Sequence, residues 1–78
     1  MEYKIGHLLQ KENGELEQLG VKSYNIIPSK EDVIEVEFEK GKAQYFKVLY
    51  LLHRGYDENE FEENSEPDLI IKEVNSPI

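Results

Sequence analysis

Residues 34–56 read IEVEFEKGKAQYFKVLYLLHRGY, and this stretch changes character halfway along. In its first half, from Ile34 to Glu39, apolar residues alternate with acidic ones, which predicts a β-strand with one face in water. In its second half, from Tyr45 to Leu52, nearly every residue is apolar, which is typical of a strand that is covered on both faces. The two halves predict a hairpin whose second strand has an additional apolar face to bury.

The turn of this hairpin is predicted at Glu39-Lys40-Gly41, because a three-residue loop needs a residue such as Gly41 at its left-handed position. The alternative is a helix over residues 43–54 that ends before Gly55. Such a helix would be apolar nearly all round in a chain that is too short to bury it, so we favour the hairpin. The register of the hairpin then pairs Phe38 with Lys42, Val36 with Gln44 and Ile34 with Phe46.

Three other segments are rich in residues that favour strands, namely residues 3–10, 21–27 and 69–74. Asn13-Gly14 is typical of a two-residue hairpin turn, and residues 15–19 form either its returning arm or a helical turn that ends at Gly20. The stretch PSKED at residues 28–32 predicts another turn. We therefore expect a mostly β fold of five to six short strands, with room for one short helical turn. Either a small SH3-like barrel or a compact antiparallel meander fits this count.

The negative charge of the chain is concentrated in one segment. The net charge is −8, and residues 57–68, DENEFEENSEPD, hold seven of the 17 acidic residues and no basic residue. The other 66 residues carry ten acids and nine bases, so the rest of the chain is nearly neutral. This pattern predicts an acidic, mobile loop at residues 57–68 within a single domain that spans residues 1–78. The lack of a basic patch argues against direct binding to nucleic acid.

Several features of the sequence bear on its compartment. The chain has no cysteine, which excludes disulfides and cysteine-type zinc sites and suits a reducing environment. No apolar run approaches the roughly 20 residues that are needed to cross a bilayer. The first residues lack the basic and apolar regions of a signal peptide. We therefore expect a cytoplasmic protein that does not contact a membrane.

Neither a catalytic site nor a cofactor site is predicted. The four serines lie outside any nucleophile-elbow pattern, and the five glycines stand singly, so no loop is built to hold a phosphate. The spacing of His7 and His53 gives no reason to expect that they converge on a metal ion. The acidic segment begins like a calcium-binding loop, but Phe61 and Glu62 stand where an oxygen ligand and a glycine are needed. We expect no enzyme activity, no cofactor and no bound metal.

Protein binding is the function that we expect. The second apolar face of the strand, made of Tyr45, Leu49 and Leu51, predicts a surface that binds a protein partner, and a homodimer of micromolar affinity is one way to cover it. The acidic segment predicts a second surface, for a basic partner, made of Tyr56, Phe61, Glu58, Glu60, Glu62 and Glu63. The alternative function is an acidic inhibitor, of phage or bacterial type, that mimics nucleic acid to block a DNA- or RNA-binding protein.

Overall fold

A computed structural model describes residues 2–53 and 66–76 of the chain. Five strands form one sheet in the order β2-β1-β5-β4-β3, and the sheet curls into a half-barrel. The mostly β, barrel-like prediction is confirmed, and within the described residues no helix is long and apolar enough to cross a membrane. The helical alternative is wrong for residues 43–52, which lie in β4. The strands are β1 (Tyr3–Gln10), β2 (Leu16–Tyr24), β3 (Val33–Glu39), β4 (Lys42–Leu52) and β5 (Asp68–Val74).

The sheet consists of two antiparallel hairpins, β1–β2 and β3–β4, with β5 between them. β5 runs antiparallel to β4 and parallel to β1, and its parallel pairing is confined to residues 69–71. The sheet is therefore mixed, and a purely antiparallel meander is not formed. The last residue of the predicted acidic loop, Asp68, is the first residue of β5, and residues 57–65 lie outside the described part of the chain.

The hydrophobic core lies on the concave face of the sheet, which we call the inner face. The alternation predicted for β3 is confirmed: Ile34 and Phe38 pack against the core on either side of buried Val36, whereas the glutamates between them are exposed. A strand that buries one face shows this period of two. The fully packed cluster consists of Ile5, Val36, Phe46, Val48, Leu69 and Ile71.

The β3–β4 hairpin differs from its prediction at the turn. A β-bulge at Phe38 makes Glu39, and not Phe38, the partner of Lys42. The connection is thereby shortened to residues 40–41, and Gly41 has the predicted positive φ, at 84°. The bulge moves the register by one residue at the end of β3 only, because an inserted residue affects the pairs beyond it. The two remaining predicted pairs, Val36 with Gln44 and Ile34 with Phe46, are confirmed.

The β1–β2 hairpin also departs from its prediction. Its loop has three residues, 12–14, closed by a 2.8 Å hydrogen bond from the Lys11 N–H to the Glu15 carbonyl. Gly14 has a φ of 87°, as a residue at the end of such a loop requires. Residues 16–24 form one continuous strand, so the helical turn considered for residues 15–19 is absent, and the strand ends at Tyr24 and not at Ile27.

The turn predicted at residues 28–32 is confirmed, and it extends the sheet. The Asp32 carboxylate accepts a 2.7 Å hydrogen bond from the Ser29 N–H, which links the two ends of the turn. The Glu31 N–H donates to the Val48 carbonyl, and the Val48 N–H donates to the Asp32 carbonyl, both at 2.8 Å. The turn therefore pairs with β4 just before β3 begins.

Candidate functional site

The partner-binding surface predicted on β4 is divided by a second β-bulge. Val48 pairs with Ile71 and Tyr50 pairs with Ile70, so Leu49 is an extra residue in β4. An extra residue reverses the alternation of the side chains that follow it. Leu51 therefore packs against the core on the inner face, and the prediction that Tyr45, Leu49 and Leu51 share one face is wrong.

The other two β4 residues of that prediction lie apart from each other. Tyr45 is next to β3, where its hydroxyl donates a hydrogen bond to the Glu35 carboxylate, and this bond raises the pKa of Tyr45. Leu49 lines a cleft of about 470 Å³ that opens where β1 and β5 diverge. The β1–β2 loop and β5 each contribute one lysine and one glutamate to the cleft, so its charges balance and it has no strong preference for a charged ligand. Its lining consists of Leu9, Gln10, Lys11, Glu12, Leu49, Lys72 and Glu73.

The second predicted surface, on the acidic segment, lies outside the described residues. This applies to Tyr56, Phe61, Glu58, Glu60, Glu62 and Glu63. Within residues 2–53 and 66–76, no group of three or more His, Asp or Glu side chains could hold a metal ion.

A buried histidine–tyrosine pair anchors β2 to the core. The side chain of His7 on β1 is 1% exposed, and its Nε2 lies 2.7 Å from the Tyr24 hydroxyl on β2. Its Nδ1 lies 3.3 Å from the Gly20 carbonyl, also on β2. Burial lowers the pKa of His7 and raises the pKa of Tyr24 to about 12, because removal from water disfavours each charged form. The pair is neutral and holds the middle of β2 in place.

The curl of the sheet brings its two edge strands, β2 and β3, towards each other. Lys22 of β2 donates a 2.6 Å hydrogen bond to the Glu37 carbonyl of β3, and its ammonium lies 5.5 Å from the centre of the Phe38 ring. The Phe38 ring also contacts His7 edge-on, with ring centres 5.1 Å apart. Side chains on the inner face thus span the gap between the two edges.

The edge at β3 is protected against pairing with another chain. Its three glutamates, Glu35, Glu37 and Glu39, are all exposed. Charged side chains along an edge strand oppose the addition of a further strand, because a second strand would have to approach them closely. The Lys22 side chain also occupies the Glu37 carbonyl, which reduces the number of backbone groups that this edge offers.

The edge at β2 differs from the edge at β3: it has a β-bulge at Leu19 and an inward-pointing Lys22, which are also protective features, but its outer face carries no charge. Its two charged residues, Glu17 and Lys22, lie on the inner side, opposite Leu9 and Ile5 of β1. The outward side chains of β2 are uncharged. The most exposed large apolar residues on and just after this strand are Leu16, Val21 and Ile26, at 46%, 60% and 80% exposure, and we call these three residues the β2 strip.

The β2 strip is the surface that the sequence analysis missed. The sequence did contain an indication of this surface, because β2 has one acidic and one basic residue, whereas β3 has three glutamates. The pattern could not be interpreted before the topology placed both strands at the edges of the sheet. No family model, no curated protein and no solved structure matches the chain.

Proposed function

We propose that the protein is a non-catalytic protein-interaction module that binds a partner protein along β2. The observation that carries this proposal is the asymmetry of the two sheet edges. β3 is lined by exposed glutamates, whereas β2 presents Val21 and Leu16 with no charged side chain facing outward. An edge whose outer face is apolar and uncharged is the kind of surface on which an extended segment of another protein can pair and be covered.

The chemistry of the β2 strip specifies the kind of partner. The strip is apolar and uncharged, so a complementary segment is extended and apolar on the side that meets Val21. Binding of this type depends little on salt, because no ion pair forms across the contact. We further propose that binding takes place in the cytoplasm, where a chain without cysteine needs no oxidising environment.

The rigidity of β2 supports this role. The hydrogen bond from Tyr24 to His7 and the bond from Lys22 to β3 hold the strand from its inner side. A strand that is already ordered loses less conformational entropy when a partner binds than a flexible segment does.

The experiment that tests the proposal compares three forms of the affinity-tagged protein in partner capture: wild type, Val21→Lys and Val33→Lys. Val33 is the matched control, because it is also an exposed valine on an edge strand, but it lies on β3. We expect Val21→Lys to abolish capture and Val33→Lys to retain it. Hydrogen exchange of the complex should then show slower exchange in β2.

Salt dependence separates this proposal from the nucleic-acid-mimic alternative. Capture along β2 should persist when the salt concentration rises from low to moderate, whereas capture through carboxylates should collapse. Capture that is lost in salt and unaffected by Val21→Lys would contradict the proposal. Glu35 and Glu37 give the alternative little support, because their carboxylates already accept bonds from Tyr45 and from the Gly41 N–H.

A further inference from the structure

We infer that the gap between β2 and β3 is a seam that opens when His7 takes up a proton, so that acid uncurls the sheet while its strands stay paired. The seam consists of the contacts that cross this gap. Lys22 donates a hydrogen bond to the Glu37 carbonyl and lies over the Phe38 ring, and Phe38 contacts His7 edge-on. The inference goes beyond the proposed function and does not depend on it, because the seam lies on the inner side of β2.

The seam is a weaker connection of β2 than the one on its other side. There, β2 pairs with β1 along a backbone ladder that runs from Tyr24 to Leu16. β2 and β3 stand at opposite ends of the strand order, and each contact described across the gap uses a side chain. Opening the seam therefore leaves the backbone ladders in place, and it requires less free energy than unfolding the whole domain.

The contacts of the seam also keep water away from His7. Its side chain is 1% exposed, with the Phe38 ring of β3 centred 5.1 Å away and the Tyr24 hydroxyl of β2 bonded to it. Burial is the main cause that lowers the pKa of His7. An open seam readmits water to the ring, so the open state binds a proton more tightly than the closed state. A ligand shifts an equilibrium towards the state that binds it better, and the proton therefore favours the open seam.

The charged groups around His7 act in the same direction on balance. Lys22 of β2 is a cation of the seam, and an imidazolium at His7 would repel it. Asp68 of β5 attracts the imidazolium, but its influence on His7 is weaker than that of Lys22. Tyr24 stays neutral, because burial raises its pKa to about 12, and β3 faces the ring with the apolar Phe38. Lys22 can turn into the solvent, so the repulsion acts on the seam itself.

An NMR titration of the full chain tests the inference. At neutral pH, cross-relaxation between the side-chain protons of Lys22 and the ring protons of Phe38 should report the closed seam. Acidification should abolish this signal, with a midpoint that matches the titration of the His7 ring. The contact between Val48 and Ile71, which pair β4 with β5, should persist at that midpoint, because the ladders remain formed.

Two variants and one control separate the seam from other effects of acid. His7→Phe combined with Tyr24→Phe lacks the titrating ring, so its contact between Lys22 and Phe38 should survive acidification. Phe38→Leu uncovers His7 without changing a charge, so His7 should titrate at a higher pH than in the wild type. Ile34→Val shortens another side chain of β3 that packs against the core, and this matched control should leave the titration of His7 unchanged.

Four outcomes would overturn the inference. The first is protonation of His7 while Lys22 and Phe38 stay in contact. The second is loss of this contact together with the contact between Val48 and Ile71, which would mean that acid unfolds the whole domain. The third is the same acid-induced loss in the double variant, and the fourth is an unchanged titration of His7 in Phe38→Leu. Partner capture along β2 is measured separately, at neutral pH, so none of these outcomes decides the proposed function.

Discussion

The buried ring of His7 makes the stability of this protein dependent on pH. A carbonyl only accepts hydrogen bonds, so Nδ1 must carry the proton that is donated to the Gly20 carbonyl. Nε2 is then free to accept the hydrogen bond from the Tyr24 hydroxyl, and the ring is neutral. Burial is the main cause that lowers the pKa of His7. Lys22 also lowers it, while hydrogen bonds to the backbone at Gly20 and Ile5 and the charge of Asp68 oppose the shift.

The direction in which stability changes with pH depends on whether the folded or the unfolded chain is protonated at His7 first. In the unfolded chain His7 has an ordinary pKa of about 6.5, above its value in the folded protein, so acidification protonates the unfolded chain first. The contribution of neutral His7 to the free energy of unfolding is fully present above about pH 6.5. Below that pH it decreases by up to about 1.4 kcal/mol per pH unit, until the pKa of His7 in the folded protein is reached. We therefore expect the free energy of unfolding to fall between about pH 7.5 and pH 5.5, with His7 contributing to that fall.

Urea unfolding followed by circular dichroism at these two pH values measures this loss. The informative variant is His7→Phe combined with Tyr24→Phe, because replacing both partners leaves neither the ring nitrogen nor the hydroxyl buried without its hydrogen bond. Its free energy of unfolding should differ less between the two pH values than that of the wild type, whereas the control His53→Gln, at an exposed residue just after β4, should keep the wild-type difference. An unchanged difference in the double variant would refute the assignment to His7.

Three further substitutions test the fold. Gly41→Val should cost about 1 kcal/mol or more in the free energy of unfolding, because a β-branched residue is strained at a φ of 84°, and Gly41→Asn should cost less. Gly6→Ala should be destabilising, because its Cβ would lie 2.6 Å from the Asp68 carboxylate, and the added substitution Asp68→Ala should restore part of the loss in thermal unfolding. Leu51→Lys should cost roughly 2 kcal/mol or more, since Leu51 packs against the core, whereas Tyr50→Lys on exposed Tyr50 should be tolerated; equal losses would contradict the position of the bulge.

The sequence by itself determined the features that depend on neighbouring residues. The alternation in β3 predicts its inner and outer faces because side chains of a strand point to opposite sides in turn. Gly14 and Gly41 lie where they were expected because tight loops require a positive φ that glycine adopts without strain. The same local rules predicted the turn at residues 28–32 and four of the five strands with approximate bounds.

Tertiary structure alone decided which residues became neighbours across the sheet. The bulge at Leu49 inserts one apolar residue into an apolar run, so composition cannot reveal it, yet it moves Leu51 into the core. The insertion of β5 beside β1 makes β2 and β3 the edges, and this depends on contacts between residues far apart in the chain. Only that order places β2 at an edge of the sheet and leaves Val21 exposed there, because exposure is a property of the assembled sheet and not of the segment.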